Sequence, residues 1–182
     1  MEQGSYCGSR GAGGVSSLTL HILAMAFMLC DHIWATLVAG QGRLSHHHSL
    51  YIITRGIGRI SFPIFAFLLV EGFFHTRDLR RYVLRLLLLA LLSEIPFDLM
   101  YAGTPFFPFH QNVIWTFLIA LFCMWVIERA KGRGSLWLTA LAAAGMSLAG
   151  WLAGTIAMVD YYGAGVLTVL VFYLFRGGRG WQ

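Results

Sequence analysis

Charge is scarce in this chain. Only 12% of its 182 residues are Asp, Glu, Lys or Arg, about half the roughly 25% of an ordinary soluble domain. So few charges cannot cover a water-facing surface of this size, which excludes a soluble enzyme, a disordered tail and a coiled coil. Acid is scarcer than base, with eight acidic against 13 basic residues and a net charge of +5. In a soluble protein that bias suggests nucleic acid. Here the basic residues sit between hydrophobic runs, so orientation in a membrane is the better account and no nucleic-acid partner is expected. Cysteine is also rare. Cys7, Cys30 and Cys123 make an odd count without metal-ligand spacing. No metal is expected, and Cys30 and Cys123 read as small packing residues.

Apolar residues are abundant instead, at 58% of the chain with a mean hydropathy of +0.69. That surplus needs lipid. Backbone in lipid must satisfy its own hydrogen bonds, so the expectation is an all-α polytopic transmembrane bundle of about six spans. Residues 1–17 are rich in Gly and Ser and read as a flexible tail, 18–176 as the membrane domain, and 177–182 as a second short tail. The expected helices are Leu18–Val38, Ile60–Phe74 with a polar lead-in from Tyr51, Tyr82–Tyr101, Asn112–Ile127, Leu136–Met158 and Tyr161–Phe175. The first is too long for a secretory signal, and Asp31-His32 interrupts it.

Basic residues give the orientation. The side of the N-terminus carries nine: Arg10, Arg77, Arg80, Arg81, Arg129, Lys131, Arg133, Arg176 and Arg179. Arg85 lies one turn further in, and the opposite side has only Arg43, Arg55 and Arg59. Both termini are therefore expected in the cytoplasm.

Polar groups inside the apolar runs are costly, roughly 2.5–3.5 kcal/mol for a charge at the bilayer centre, and mark function by default. Asp31, His32, Arg59, Glu94, Asp98, Gln111, Asn112, Thr116, Asp160 and Tyr161 come from five expected helices and fall toward the outer side. One shared depth reads as a polar cavity open to the outside. The plainer alternative is a buried ion-pair network, for example Arg59 with Asp31 or Glu94, that only fixes helix packing. A second group, Glu71, His75, Arg77, Arg80, Arg81 and Arg85, lies on the cytoplasmic side. Arg81 and Arg85 share a helix face and suit phosphate, whereas Arg77 and Arg80 read as plain anchors. His46-His47-His48 reads as a solvated loop rather than a metal site, because adjacent His do not share a face. Gly150 and Gly154 read as a packing seam. Phe106, Phe107 and Phe109 read as an interfacial aromatic belt, and Pro96 as a kink near Glu94.

Several of these residues form blocks. Met28-Leu29-Cys30-Asp31-His32 matches a Met-x-x-Asp-His pattern, and the run from Gly58-Arg59-Ile60-Ser61-Phe62-Pro63 to Val70-Glu71-Gly72 is the longest signature. Thr76, Tyr82, Arg85 and Leu86 continue it. Ser93-Glu94-Ile95-Pro96-Phe97-Asp98, Gln111-Asn112-Val113 with Thr116, and Asp160-Tyr161 with Gly165-Val166 follow. Over about residues 20–175 the chain resembles the TraX family of bacterial membrane proteins, named for a factor that N-acetylates the conjugative pilin. The family's last block is Asp-Tyr-Gly where this chain has Asp160-Tyr161-Tyr162. Its members continue into a further helical segment with Tyr-Asn-Gly and Phe-Tyr-Pro-x-His, so the resemblance implies a fragment, a frameshifted product or a short member.

TraX proteins are similar to transmembrane acyltransferases that carry an acetyl group from cytosolic acetyl-CoA to an acceptor outside. The resemblance implies a multi-pass protein of the bacterial inner membrane with acetyl-CoA as donor and a small-molecule or peptide amine or hydroxyl as acceptor. Arg81, Arg85, Glu71 and His75 are then the expected cofactor side. His32 is the expected base, with Asp31, Glu94 and Arg59 beside it. Asp98, Gln111, Asn112, Thr116, Asp160 and Tyr161 are expected to meet the acceptor, Gln111 and Asn112 as hydrogen-bond donors. A transporter or carrier, with Asp31, Glu94 and Arg59 as a relay, and a non-enzymatic structural partner are the alternatives.

Overall fold

A computed structural model describes residues 16–34 and 48–176. Within them the chain is all-α: α1 Ser17–Trp34, α2 His48–Arg59, α3 Ser61–His75, α4 Leu79–Ala102, α5 Val113–Lys131, α6 Leu136–Ile156 and α7 Tyr162–Phe175. Most of the proposed tail 1–17, the end of the first expected helix, Cys7, Arg10, Arg43, His46, His47 and the tail 177–182 with Arg179 lie outside the described residues. His48 opens α2.

The main departure from the expected elements is α2. The polar lead-in to the second run is a helix in its own right, and Ile60 between α2 and α3 keeps helical dihedrals. Its sequence, with Ile52, Ile53 and Ile57 against Arg59 and Gly58, is amphipathic rather than uniformly apolar, so a search for apolar runs passes over it. The stretch Gly56–His75 together is long and apolar enough to cross a bilayer, as are α5 and α6. α1 and α7 are apolar but shorter. α4 is 24 residues long and runs through Pro96, but it carries Arg80, Arg81, Arg85, Glu94 and Asp98. By length and composition, three spans therefore stand out among the described residues, rather than six equal ones.

The helix starts follow local chemistry. Asp78 accepts the Arg81 N–H at the start of α4, Asn112 accepts the Ile114 N–H at the start of α5, and Ser135 accepts the Leu138 N–H at the start of α6. These are ordinary N-caps, each satisfying a donor that the helix leaves open. α4 ends on Gly103 in the left-handed region, φ 69°, with its N–H returned to the Leu99 carbonyl.

The core lies among α3, α5 and α7: Phe62, Ala66 and Val70 meet Phe117, Ala120, Met124 and Ile127, and Val166, Val169, Leu170 and Tyr173 close it. α6 packs on α5 and α7 through the expected glycine seam. A Cβ at Gly150 would stand 2.8 Å from Val166, and one at Gly154 2.9 Å from the Tyr162 carbonyl. The far face of α6 is apolar and open, with Trp137 81% exposed, and the same holds for α4, where Leu92 is 73% exposed. Such faces fit lipid and not water. α4 packs chiefly on α5, which leaves a cleft between α4 and α3.

At one end of the bundle, Arg176 at the end of α7 donates twice to Glu71 of α3, at 2.6 and 3.2 Å. Tyr173 donates to Glu128 of α5 at 2.8 Å. The basic residues that flank these helix ends gather here, away from Asp31, His32 and Asp160.

Candidate functional site

At the other end, a cavity of about 320 Å³ opens between α1, α3, α4 and the starts of α5 and α7. Asp31 and His32 reach it from the last turn of α1, Ser61, Phe62 and Phe65 from α3, and Ser93, Pro96 and Phe97 from α4. Asn112, Phe117, Asp160 and Tyr161 complete the wall. Four of the expected polar residues, Asp31, His32, Asp160 and Tyr161, thus stand at one cavity with their side chains half-buried. The close approach of α1 to α2 depends on Gly58, where a Cβ would lie 2.3 Å from the Asp31 Cβ. Tyr161 stacks on Phe62 with ring centroids 4.3 Å apart, and Phe62 stacks on Phe117.

The floor of this end is tied by backbone. Gln111 N–H donates to the Met158 carbonyl at 3.0 Å, and Asp160 N–H to the Gln111 carbonyl at 2.9 Å. Thr116 is fully buried and donates to the Asp160 carbonyl at 2.7 Å. Gln111 and Thr116, expected at the acceptor, therefore position the α6–α7 turn. That turn holds three non-glycine residues at positive φ, Met158 at 51°, Tyr161 at 64° and Tyr162 at 49°. Left-handed dihedrals cost an L-residue roughly 1–2 kcal/mol. The position where the family pattern has glycine, Tyr162, is one of the three.

Other expected site residues face elsewhere. On α4 the cavity face carries Ser93, Pro96 and Phe97, so Glu94 and Asp98 look toward α5 and the loop before it. Glu94 Oε2 accepts from Asn112 Nδ2 and, at 2.9 Å, from Trp115 Nε1. Asp98 is 1% exposed and accepts the Phe107 N–H at 2.8 Å. Each has a second oxygen that is buried without a hydrogen-bond partner among the described residues. Glu94 fastens α4 to the start of α5, and Asp98 fastens it to the loop before α5.

Asn112 is fully committed too. Its amide donates to Glu94 and to the Ala90 carbonyl, and its oxygen caps α5. An amide has two donor hydrogens, so none is left for an acceptor. Arg59 is exposed and makes no ion pair among the described residues. The expected pairing of Arg59 with Glu94 is absent, because Glu94 turns toward Asn112 and Trp115 on the far side of α4.

The arginine end has its own groove, about 440 Å³, lined by Gly72, His75, Thr76, Tyr82, Arg85, Leu86 and Leu89. A Cβ on Gly72 would stand 2.7 Å from the Tyr82 hydroxyl, so glycine here leaves room for the Tyr82 ring in the groove. Arg85 lines the groove and donates through Nε to the Arg81 carbonyl at 3.3 Å. Arg81 itself is 81% exposed and pairs with Asp78 at 3.1 Å. The Glu71 carboxylate is engaged by Arg176 at 2.6 Å and stands 3.6 Å from His75 Nδ1, without itself lining the groove. His75 lines the groove while its Nδ1 stands 2.8 Å from the Glu71 carbonyl.

A family model, "TraX protein", matches residues 16–182. The chain belongs to the TraX family. This TraX chain is also similar to the Dichelobacter nodosus protein named "Probable fimbrial assembly protein FimC, serogroup H1", with 32% identity over 118 residues. That stretch is 61% of this chain and 46% of the relative, so the chain spans less than half of the curated relative it matches. No solved structure matches it. The resemblance read from the signature blocks is borne out, and so is the all-α membrane bundle.

Ser61 and Ser93 were missed by sequence reasoning. Small hydroxyl residues inside apolar runs carry little signal, because they also pack helices. His110 was missed for a different reason: it sits in an aromatic loop that reads as an interfacial belt.

Proposed function

We propose that this TraX-family protein is a membrane acetyltransferase, taking acetyl groups from cytosolic acetyl-CoA and passing them to an amine or hydroxyl acceptor at the outer side of the bacterial inner membrane. The observation that carries the reading is that α3 and α4 both contribute walls to a pocket at each end of the bundle, one holding Arg85 and His75 and the other Asp31, His32 and Asp160. Arg85 in one pocket and Ser93 in the other are eight residues apart on α4, about 12 Å of helix rise. The nine-to-three bias of basic residues supports the arginine end as cytoplasmic, with both termini inside. The relative's name supports an acceptor connected with fimbriae, such as a pilin subunit.

The arginine groove has the chemistry for the donor. Arg85, with Arg81 on the same face, offers guanidinium groups to phosphate, and His75 and Tyr82 add polar edges. When bound there, acetyl-CoA would supply an acetyl thioester, whose C–S bond breaks as the bond to the acceptor forms, CoA leaving as the thiol with the proton that the acceptor gives up. At the outer cavity, His32 accepts the proton that the acceptor nitrogen or oxygen must lose. Asp31, next in sequence, does not share its helix face and stands as a separate carboxyl group on the wall. The Ser61 and Ser93 hydroxyls are the donors in reach of an oxygen that gains charge, the part expected earlier of Asn112. Phe62, Phe97 and Tyr161 give the cavity apolar walls.

The test is binding of radiolabelled acetyl-CoA to the purified protein in mild detergent. Arg85→Gln is expected to weaken binding at least tenfold, Arg81→Gln less, and Glu71→Gln not at all. Equal binding by Arg85→Gln and wild type would remove the donor site from this groove.

A further inference from the structure

His110 lies in the loop before α5, outside the cavity wall, with its side chain 13% exposed. Three aromatic rings surround it: Tyr101 at 4.5 Å, Phe97 at 5.6 Å and Tyr162 at 6.2 Å between centroids. Its Nε2 stands at ion-pair distance, 3.9 Å, from Oδ1 of Asp160, a carboxylate that lines the cavity and whose same oxygen accepts the Tyr161 N–H at 3.1 Å. The neighbouring Gln111 is bonded in both directions to the Met158–Asp160 turn, so loop and turn move as one unit. The aromatic cage fixes the ring and keeps it pointed at Asp160. The other ionisable groups around it are Glu94, Asp98 and Tyr101 of α4 and Tyr162 of α7.

We infer that His110 is a positioning residue of the outer site, standing behind Asp160 and holding that carboxylate ionised and oriented at the cavity wall. A caged imidazole presenting Nε2 to a carboxylate favours its charged form and limits its rotamers. The carboxylate in turn presents a fixed negative charge to an acceptor amine. This rests on the acyltransfer reading for its consequence, but the coupling of His110 to Asp160 does not.

Two measurements separate these parts. The first needs no activity: label the purified protein with a water-soluble carbodiimide and glycine methyl ester at neutral pH, and quantify modified Asp160 by mass spectrometry. Carbodiimides attack the protonated carboxyl, so His110→Phe, which keeps the aromatic cage and removes the ring nitrogens, is expected to raise Asp160 labelling severalfold. His110→Gln, which restores a hydrogen-bond donor, is expected to bring it back toward wild type. Unchanged labelling in His110→Phe at an unchanged melting temperature overturns the inference. If His110→Phe melts early, labelling of Asp160 is read against that of Glu128 at the other end of the bundle: a rise confined to Asp160 supports the coupling, and a rise shared by both overturns it. The second measurement is transfer from labelled acetyl-CoA to a tetra-alanine peptide with a free amino terminus. His110→Phe is expected to raise the KM for peptide about tenfold with the KM for acetyl-CoA unchanged, and Asp160→Asn to do the same without a further effect in the double variant. Additive effects overturn the inference. No transfer by wild type refutes the acyltransfer reading instead, and the labelling result then stands alone.

Discussion

Asn112 offers the sharpest stability test of the outer end. It is 3% exposed and spends all three of its side-chain hydrogen bonds inside the protein: one caps α5, and two reach α4 at Ala90 and Glu94. Asn112→Ala removes the cap, at about 1 kcal/mol. It also removes a neutral bond worth about 1 kcal/mol and a bond to a carboxylate worth about 1.5–3 kcal/mol. The total is about 4 kcal/mol. For a chain of this length, 1 kcal/mol moves Tm by about 2–4 °C, so the expected drop is about 8–16 °C. Asn112→Ser keeps the capping oxygen and loses the two donors, and should fall about 1 kcal/mol short of the Ala variant. Thermal melting of fluorescent-protein fusions in mild detergent, followed by size-exclusion, reads both. An Asn112→Ala protein that melts within about 2 °C of wild type would refute the assignment of Asn112 as the tie between α4 and α5.

Tyr162→Gly deletes a large side chain yet is expected to leave Tm unchanged or slightly higher, because φ at Tyr162 is 49° and the ring is 51% exposed. Tyr161→Gly, also at positive φ, should lower Tm because it removes the ring stacked on Phe62; the same melting assay compares them, and a loss on Tyr162→Gly as large as on Tyr161→Gly contradicts the strain argument. Gly58→Val should lower the yield of folded protein and disturb the Asp31 wall, whereas Gly56→Ala, where a Cβ meets nothing within 4 Å, should express normally. Arg176→Ala breaks a half-exposed pair with Glu71 and should cost only about 1 kcal/mol, visible as a Tm fall of a few degrees without loss of acetyl-CoA binding.

Much of the fold was legible because apolar runs and basic flanks are local signals. The run from Leu136, for instance, carries the Gly150 and Gly154 seam in the sequence itself. α2 was not legible as a helix because its apolar residues form a stripe rather than a run. At the site, depth could be read but facing could not. Glu94 and Asp98 share a helix face, as their spacing says, yet nothing local says whether that face meets the cavity or α5. Asn112 looked like a donor for a substrate because its type and depth fitted, and only the tertiary contacts to Ala90 and Glu94 show it to be spent. His110 needed the opposite correction: its role depends on Asp160, 50 positions away, and on rings from two other helices.

The proposed acetyl transfer turns on His32 at the outer cavity. The direct measurement is transfer of label from acetyl-CoA added to the arginine side of oriented proteoliposomes into a free-amine peptide on the other side. Wild type is expected to transfer, and His32→Ala to lose transfer by at least a hundredfold while melting and binding acetyl-CoA like wild type. Wild-type rates in His32→Ala, or label reaching the peptide only when donor and acceptor share one side, would contradict the account.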